Sequence, residues 1–289
     1  MLHLAACLDA LEGIVPQAQD ERQMLENRWQ VVAEDLRITF SSGIVSPQAA
    51  TTVRWVTFEV IEWAASTGLR CPALRSAAGK EPTLTKLLIA TNNPGKVREY
   101  EALLEVFSNH LEVTFPAQES LWLEVEESGE TFEENARIKA QAYVQASGLL
   151  TLADDSGLEV DALAGAPGVR SARYAGPDAN DVDRYERLLA DLAEVPASRR
   201  GARFRCVAVM VQPDGQEHIG TGICEGQIGF EPRGEQGFGY DPVFVVNGYG
   251  GQTMAELEPR VKNRISHRAR ALEELRPSLG RILLAPAET

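Results

Sequence analysis

The stretch LLIATNNPGK, residues 87–96, joins a short apolar run to a polar turn that contains both proline and glycine. A short apolar run bounded by turn residues is typical of a buried β-strand. After Lys96, apolar side chains recur at helical spacing, which predicts a helix whose inner face carries Val97, Tyr100, Leu103, Leu104 and Phe107. This stretch therefore predicts a strand, a polar loop and a helix, the repeating unit of α/β proteins.

The same alternation of strand and helix patterns continues towards the C-terminus. Thr131 and Glu134 have the spacing of a capping box, so a second helix is predicted to begin at Thr131 and to end before Gly148. Further strands are predicted over residues 149–153, 203–211, 218–224 and 243–246, and further helices over residues 177–193 and 259–275. Because residues 213–215, Pro-Asp-Gly, are typical of a hairpin turn, the sheet is predicted to be mixed.

Residues 1–85 differ from the rest of the chain in their pattern. Helical periodicities cover much of residues 1–69, whereas residues 70–85 contain Pro72, Gly79 and Pro82 and little periodicity. We interpret residues 1–69 as a mainly helical N-terminal extension and residues 70–85 as a linker. The α/β domain is then expected to cover residues 86–289.

Composition limits the classes of protein to which the chain can belong. Its 289 residues are 44% hydrophobic and carry a formal net charge of −14, which disfavours nucleic acid and anionic membranes as partners. The sequence has no run of the roughly 20 apolar residues that a membrane span requires. Its cysteines are too widely spaced to indicate a zinc site or a disulfide framework. We expect a cytoplasmic protein that binds any phosphate-bearing ligand locally.

The polar loop over residues 91–96 is a candidate anion site. It opens a helix, where unpaired backbone N–H groups and the helix dipole favour a phosphate, and Lys96 adds a positive charge. The loop is not a Walker A motif, because Val97 follows Lys96 where that motif has serine or threonine. The alternative interpretation is a polar turn that only caps a surface helix.

Two adjacent carboxylates, Asp154 and Asp155, follow the strand predicted over residues 149–153. Open α/β sheets bind ligands at strand ends, and Mg²⁺ binds one or two carboxylates together with waters and phosphate oxygens. An Asx turn with exposed acids explains the same two residues equally well. Several neighbouring charges are more typical of a solvated surface: Glu124, Glu126, Glu127, Glu130 and, on the following helix, Lys139.

Two motifs nearer the C-terminus combine glycine, aromatic and cationic residues. In residues 237–242, GFGYDP, the glycines that flank Phe238 allow the backbone to approach a flat ligand while the ring stacks on it. A tight entry into the next strand is the alternative. On the last predicted helix, Lys262, His267 and Arg268 concentrate hydrogen-bond donors suited to a phosphate or to a carbonyl-bearing base.

In this order, the motifs resemble the inosine triphosphate pyrophosphatase family, the Ham1 or RdgB-like nucleotide pyrophosphatases. The resemblance covers about residues 86–276 and depends on LADDSGLEVDALAGAPGVRSARYAG, GFGYDP and SHR. It implies an elongated α/β domain with two lobes and a long mixed sheet, which forms a homodimer. It also implies an Mg²⁺-dependent enzyme that hydrolyses ITP, dITP and XTP to the monophosphate and pyrophosphate, removing aberrant purines from the nucleotide pool.

The resemblance implies roles for individual residues as well. It makes Asp155 both a metal ligand and the proton acceptor, and Glu127 the second metal ligand. It implies substrate contacts for residues of every motif: Thr91, Asn92, Asn93, Pro94, Gly95, Lys96, Lys139, Ser156, Arg173, Phe238, Gly239, Tyr240, Asp241, Lys262, His267 and Arg268. Within this set, Phe238 is expected to stack on the base, and Arg268 to donate a hydrogen bond to its 6-oxo group.

Residues 1–85 lie outside the resemblance, which therefore implies nothing about the extension. Two other functions remain open for the domain itself. The first is a nucleotide-binding sensor that keeps the pocket and uses the N-terminal extension to signal. The second is a general nucleoside triphosphatase. The presence of both acids and of Lys96, Lys139 and Lys262 argues against an inactive pocket.

Overall fold

The structure is a computed structural model that describes residues 84–284. The predicted extension and nearly all of the predicted linker lie outside the described residues. The described helices and strands are β1 Thr85–Ile89, α1 Pro94–Leu104, β2 Leu111–Thr114, α2 Phe132–Ser147, β3 Leu150–Val160, α3 Asp181–Asp191, β4 Gly201–Val211, β5 Glu217–Ile228, β6 Phe244–Val246, α4 Pro259–Ile265 and α5 His267–Leu284. Within this part of the chain, no helix combines the length and apolar character needed to cross a membrane.

The six strands form one mixed sheet in the order β2-β1-β3-β4-β5-β6. β1 pairs in parallel with β2 and β3, whereas β4 pairs antiparallel with β3 and β5, and β5 pairs antiparallel with β6. The predicted hairpin joins β4 to β5, where the Gly215 N–H donates to the Gln212 carbonyl at 2.9 Å. The predicted mixed α/β fold is confirmed.

Apolar side chains form two buried clusters along the length of the sheet. In the first cluster, the face of α2 that carries Phe132, Ala136 and Ala140 packs on β1 and on the ends of β3 and β4 that lie beside it. In the second cluster, Leu188 of α3 and Phe244 of β6 pack on the opposite ends of β3 and β4. Because β3 and β4 take part in both clusters, the middle of β3 lies between them, in agreement with the predicted two-lobed domain.

The strand predicted over residues 149–153 is longer than expected. β3 continues through both aspartates to Val160, because β4 pairs with it over residues 151–160. On its other side, β3 is paired with β1 only over residues 150–152. The expectation that the aspartates follow the end of their own strand is therefore wrong. The strand that ends beside them is β1, which leaves one edge of β3 open at Asp154 and Asp155.

Two predicted helices have different bounds in the structure. The helix predicted over residues 259–275 is divided at Ser266, which has extended backbone angles and whose Oγ accepts a hydrogen bond from the Ala269 N–H at 3.1 Å. Ser266 thus caps a separate helix, α5. The helix predicted from residue 177 begins only at Asp181, because the side chain of Asn180 caps it through the N–H groups of Val182 and Asp183. The helix predicted to begin at the Thr131 capping box is confirmed.

Candidate active site

A cavity of about 370 Å³ opens beside the free edge of β3, between the loop that follows β1 and the junction of α4 and α5. Its wall contains most of the residues that the sequence singled out: Thr91, Asn92, Asn93, Lys96, Glu127, Lys139, Asp155, Ser156, Phe238, Gly239, Tyr240, Asp241, Lys262, His267 and Arg268. Pro94 and Gly95 lie in the first turn of α1, behind this wall. Arg173 is exposed and lies outside the wall. The fold thus brings together motifs that are far apart in the sequence.

Four of these residues form one end of the cavity, which we call the lysine end: Lys96, Glu127, Lys139 and Asp155. The ammonium groups of Lys96 and Lys139 both donate to the backbone carbonyl of Asp154, at 3.3 and 3.2 Å. Lys139 Nζ also lies 2.5 Å from Glu127 Oε1. Burial lowers the pKa of Lys139, but Glu127 and Asp154 raise it above the ordinary lysine value, so this ammonium stays charged.

The inward position of Lys139 corrects the interpretation of this residue and of Glu127 as solvated surface charges. On α2, Asn135 is buried and lies one helical turn before Lys139. Its side chain reaches β3, where Asn135 Nδ2 donates to Asp155 Oδ2 at 3.0 Å. Asn135 and Lys139 therefore form a polar stripe beside the apolar face of α2, and this i, i+4 spacing was the signal that could have located both.

The two aspartates of β3 point to opposite faces of the sheet, as consecutive residues of a strand do. Asp155 faces α2 and the cavity, and its Oδ1 accepts the Ser156 N–H at 2.9 Å. Burial, only partly offset by Lys96, raises the pKa of Asp155. Asp154 lies on the other face, where Lys96 and Arg268 outweigh its burial and hold its pKa well below the ordinary value. The two carboxylates are therefore not a metal-binding pair.

The polar loop before α1 is closed by its own side chains. Asn93 Oδ1 accepts the N–H groups of Gly95 at 2.8 Å and of Lys96 at 3.1 Å, and the Asn93 N–H donates to Thr91 Oγ1 at 3.2 Å. The expectation of unpaired backbone N–H groups is therefore wrong for these three residues. An anion at this loop would meet the helix dipole and the Lys96 ammonium instead.

The other end of the cavity, which we call the aromatic end, contains Phe238, Lys262, His267 and Arg268. Lys262 Nζ lies 2.7 Å from a carboxylate oxygen of Glu99, is paired with Asp241, and sits 4.9 Å from the centroid of the Phe238 ring. Arg268 pairs with Glu99 through Nη1, with Asp154 Oδ2 through Nε and Nη2, and with Ser156 Oγ through Nη2. Buried carboxylates thus surround both cations.

These ion pairs connect into a single buried chain of alternating charge that spans both ends of the cavity. Lys96 Nζ lies 2.9 Å from Asp154 Oδ2, the same oxygen that Arg268 contacts. We call this chain the ion network; its members, in order, are Lys96, Asp154, Arg268, Glu99, Lys262 and Asp241. Glu99 was missed from the sequence, although it follows Lys96 by three residues and adjoins the buried Tyr100 on α1.

His267 differs from its cationic neighbours because it is neutral. Burial, with the charge of Arg268 nearby, holds its pKa well below the ordinary histidine value. Its ring stacks on Phe204 with centroids 4.9 Å apart and planes inclined by 16°. Its Nδ1 is buried and has no hydrogen-bond partner within residues 84–284. Within the described residues, the imidazole therefore keeps one buried ring nitrogen unpaired.

Phe238 connects the aromatic end to the lysine end. Its ring rests on Gly95 so closely that a Cβ atom at Gly95 would lie 2.5 Å from Cδ1 of the ring. The rest of the segment is held by three bonds: the Phe238 N–H to Asp241 Oδ2 at 2.8 Å, the Gly239 N–H to Asp181 Oδ2 at 2.7 Å, and the Tyr240 hydroxyl to the Ser171 carbonyl at 2.8 Å. Asp181 of α3 was missed, and no local pattern in the sequence indicated it.

Comparison with known proteins agrees with this architecture. The family model described as the Ham1 family matches residues 87–278. The dITP/XTP pyrophosphatase of Methylococcus capsulatus is 54% identical over 189 residues, which cover 64% of this chain and 92% of that protein. The dITP/XTP pyrophosphatase of Desulforamulus reducens is 49% identical over 199 residues, covering 69% of this chain and 98% of that protein.

Solved structures agree as well. The Staphylococcus aureus Ham1 protein is 39% identical, with a TM-score of 0.60 over 68% of this chain and 98% of that one. A Ham1 protein from Coxiella burnetii is 42% identical, again with a TM-score of 0.60 and with the same coverage of both chains. On the match of the family model and of these relatives, the chain belongs to the Ham1 family.

Proposed function

We propose that this protein hydrolyses aberrant purine nucleoside triphosphates, namely ITP, dITP and XTP, to the monophosphate and pyrophosphate. The observation that carries the proposal is a single cavity with two ammonium groups and two carboxylates at one end and a stacking ring among buried donors at the other. The first end suits a polyphosphate and the second suits a purine. The relatives named dITP/XTP pyrophosphatases support dITP and XTP as substrates.

The lysine end binds the triphosphate. Lys96 and Lys139 converge on one backbone carbonyl, so their charges are held side by side in the wall of the cavity. Phosphate oxygens can take the place of that carbonyl and of Glu127 as their hydrogen-bond acceptors. The two lysines then stabilise negative charge on the transferring group and on the leaving pyrophosphate, which is the main contribution expected in phosphoryl transfer.

Glu127 and Asp155 fit Mg²⁺ at this end. Both line the cavity, and the raised pKa of Asp155 means that the nearby lysines leave its negative charge incompletely compensated. No group of three or more His, Cys, Asp or Glu in the described part of the chain could hold a metal by itself. Mg²⁺ needs no such group when substrate phosphates and waters complete its shell. When bound, the ion neutralises phosphate charge and polarises the phosphorus that is attacked.

Asp155 acts as the general base. The Asn135 amide and the Ser156 N–H hold its two carboxylate oxygens in one orientation. The carboxylate takes a proton from a water whose oxygen attacks the α-phosphorus, and the bond from that phosphorus to the pyrophosphate oxygen breaks. A raised pKa makes the carboxylate a stronger base than an exposed aspartate.

The aromatic end selects the base. Phe238 stacks on any purine, so selectivity must come from the donors around it. Arg268 Nη1 and Lys262 Nζ each keep an N–H that the ion network does not use, and the network holds both in place. Such donors pair with the 6-oxo group of hypoxanthine or xanthine, whereas the 6-amino group of adenine leaves them unpaired at a cost of about 1–3 kcal/mol each.

The proposal is tested by incubating the protein with ITP, XTP and ATP in the presence of Mg²⁺ and separating the products. Inosine or xanthosine monophosphate plus pyrophosphate, formed much faster than AMP, is the expected result. A diphosphate plus phosphate would indicate a general triphosphatase. Binding of ITP without turnover would indicate a nucleotide sensor. Omission of Mg²⁺ and addition of a chelator should abolish turnover while the thermal unfolding transition remains.

The resemblance also predicts a homodimer. Light scattering coupled to gel filtration should give twice the mass of the chain. A single-chain mass with full activity would contradict the prediction and would leave the proposed reaction unaffected.

A further inference from the structure

We propose that Asp154 is a positioning residue that couples recognition of the triphosphate to recognition of the base. The inference rests on the proposed function, because it names how the two ends of that site influence each other. Asp154 does not line the cavity, so it acts through Lys96 and Arg268, which do.

One carboxylate oxygen connects the two ends. Asp154 Oδ2 lies 2.9 Å from Lys96 Nζ, 3.2 Å from Arg268 Nη2 and 3.3 Å from Arg268 Nε. The other oxygen, Oδ1, is buried and has no hydrogen-bond partner within residues 84–284. The hydrogen bonds made by the side chain therefore run through Oδ2 alone, and the position of that oxygen depends on both cations.

The geometry also separates Asp154 from the metal that Asp155 would hold. The two side chains lie on opposite faces of β3, and Asp154 is buried behind the wall of the cavity. Its charge is already balanced by Lys96 and Arg268. Asp154 is thus an anchor for the two cations, whereas Asp155 faces the substrate.

The two ends are coupled because Lys96 and Arg268 share one carboxylate oxygen of Asp154. When a phosphate oxygen attracts the Lys96 ammonium, Asp154 Oδ2 loses one of its donors and interacts more strongly with Arg268. The position of Arg268 at the base therefore depends on whether the lysine end is occupied. Such coupling is reciprocal, so the base must also change the affinity for phosphate, typically by 5- to 150-fold.

The first experiment uses Asp154→Asn, which keeps the shape and removes the charge. We expect the inhibition constant of tripolyphosphate, a probe of the lysine end, to rise about tenfold, and the ITP to ATP ratio of kcat/KM to fall about tenfold. The Mg²⁺ concentration for half-maximal rate should not change. An increase in that concentration with unchanged tripolyphosphate inhibition would make Asp154 a metal ligand and would overturn the proposal.

The second experiment does not require the Asp154→Asn protein to fold. Lys96→Ala removes the lysine that touches the Asp154 carboxylate. Lys139→Ala removes a lysine that also pairs with Glu127 and whose hydrogen bond to Asp154 goes to the backbone carbonyl, not to the carboxylate. Both variants should turn over nucleotides slowly. Only Lys96→Ala should also lower the ITP to ATP ratio, about fivefold or more. Equal ratios in the two variants would show that the ends act independently.

Equilibrium binding separates this proposal from the proposed function. If the wild-type protein does not convert ITP to IMP and pyrophosphate, the proposed reaction fails. The coupling is then judged by calorimetric titration with IMP, with and without saturating pyrophosphate. Pyrophosphate should change the IMP affinity of the wild-type protein at least fivefold and that of Lys96→Ala less than twofold. The coupling proposal would be overturned if pyrophosphate changed the IMP affinity of both proteins equally, or did not change that of the wild type.

Discussion

The two ends of the cavity contain the same kinds of charge but hold them differently. At the aromatic end, Lys262 and Arg268 have side chains that are 7% and 1% exposed, and each is paired with two buried carboxylates. At the lysine end, Lys96 and Lys139 are 14% exposed, and the carboxylate beside Lys139, Glu127, is 31% exposed. The cations of the aromatic end are therefore more deeply buried among carboxylates, and those of the lysine end are more accessible to a ligand.

This difference suits the two parts of the proposed substrate. A purine is rigid and is recognised by donors fixed at one distance, so ordering those donors in advance increases discrimination. A triphosphate is flexible, and its charge distribution changes during the reaction. Accessible cations can contact its oxygens as this charge develops and can therefore stabilise it. The following changes test this difference between the two ends, beginning with the one that should affect the protein most.

Asp155→Asn should lower kcat by roughly 10² to 10⁴, because it removes the general base and a metal carboxylate from the lysine end. Burial raises the pKa of Asp155, so removal of its charge relieves a cost at neutral pH, whereas the amide can accept only one of the two N–H donors that now meet the carboxylate; the variant should still fold. Turnover and urea unfolding of the same preparation measure both effects. Near-normal turnover in a folded protein would remove Asp155 from the mechanism.

Arg268→Ala should destabilise the fold by about 3–5 kcal/mol, because it leaves Glu99 and Asp154 buried with fewer partners. Lys139→Ala should cost only about 1 kcal/mol, since Glu127 is partly solvated. Urea unfolding of the two variants compares the ends directly, and equal losses would contradict the comparison. Effects of Arg268→Ala on the ITP to ATP ratio have to be measured where the variant is still folded.

Gly95→Ala should place a methyl group against the Phe238 ring, 2.5 Å from Cδ1 and 2.6 Å from Cγ. Overpacking of this size costs about 1–3 kcal/mol and should displace the ring, which would slow turnover of all purine nucleotides alike. The control is the same change in a Phe238→Ala background, where the extra destabilisation should disappear. If the extra destabilisation persists in that background, the Phe238 ring is not the reason that position 95 excludes a methyl group.

The ion network should contribute to the acid dependence of stability through Glu99. Although burial raises it, Arg268 and Lys262 hold the pKa of Glu99 at about 2, below its ordinary value of 4.5. A carboxyl with a depressed folded-state pKa stabilises the fold above its unfolded pKa, and this contribution is lost as pH falls from about 4.5 towards 2. Urea midpoints over this interval should fall less steeply in Glu99→Gln than in the wild type.

Removal of residues 1–82 should have the smallest effect. Among residues 84–284, every residue of the cavity wall lies beyond residue 89, so a chain that begins at Thr83 is expected to fold and to hydrolyse ITP at the wild-type rate. Turnover and gel filtration of the truncated and full-length proteins test this. A folded but inactive truncated protein would place the N-terminal residues in the site or in an essential dimer contact.

Much of the fold was predictable because its causes are local. The capping box at Thr131 depends on residues three positions apart, and the hairpin between β4 and β5 depends on a short turn. The apolar face of α1 was visible as a helical repeat. The predicted mixed α/β fold and the family resemblance are confirmed, whereas the predicted domain bounds and the roles of the site residues stay predictions.

The wrong strand boundary has a tertiary cause, whereas the two wrong helix boundaries lie at local side-chain caps, Ser266 and Asn180. β3 extends past Ala153 because β4 supplies hydrogen-bond partners as far as Val160. The sequence of residues 149–160 contains no pattern that indicates this partner strand. The last helix divides at Ser266, although the apolar repeat continues through it. A sequence pattern describes which face of an element is apolar, but strand length depends on the partner strand.

What the sequence alone determined is the set of chemical groups and the elements that carry them: the polar loop, the adjacent aspartates, GFGYDP and the cationic helix. That Asp155 faces the cavity while Asp154 faces Lys96 and Arg268 depends on how the strands and helices pack together. Arg268 meets Asp154 across 114 residues of sequence and Glu99 across 169. Such pairs form only after the sheet has assembled, because the burial that makes them strong does not exist in any isolated segment.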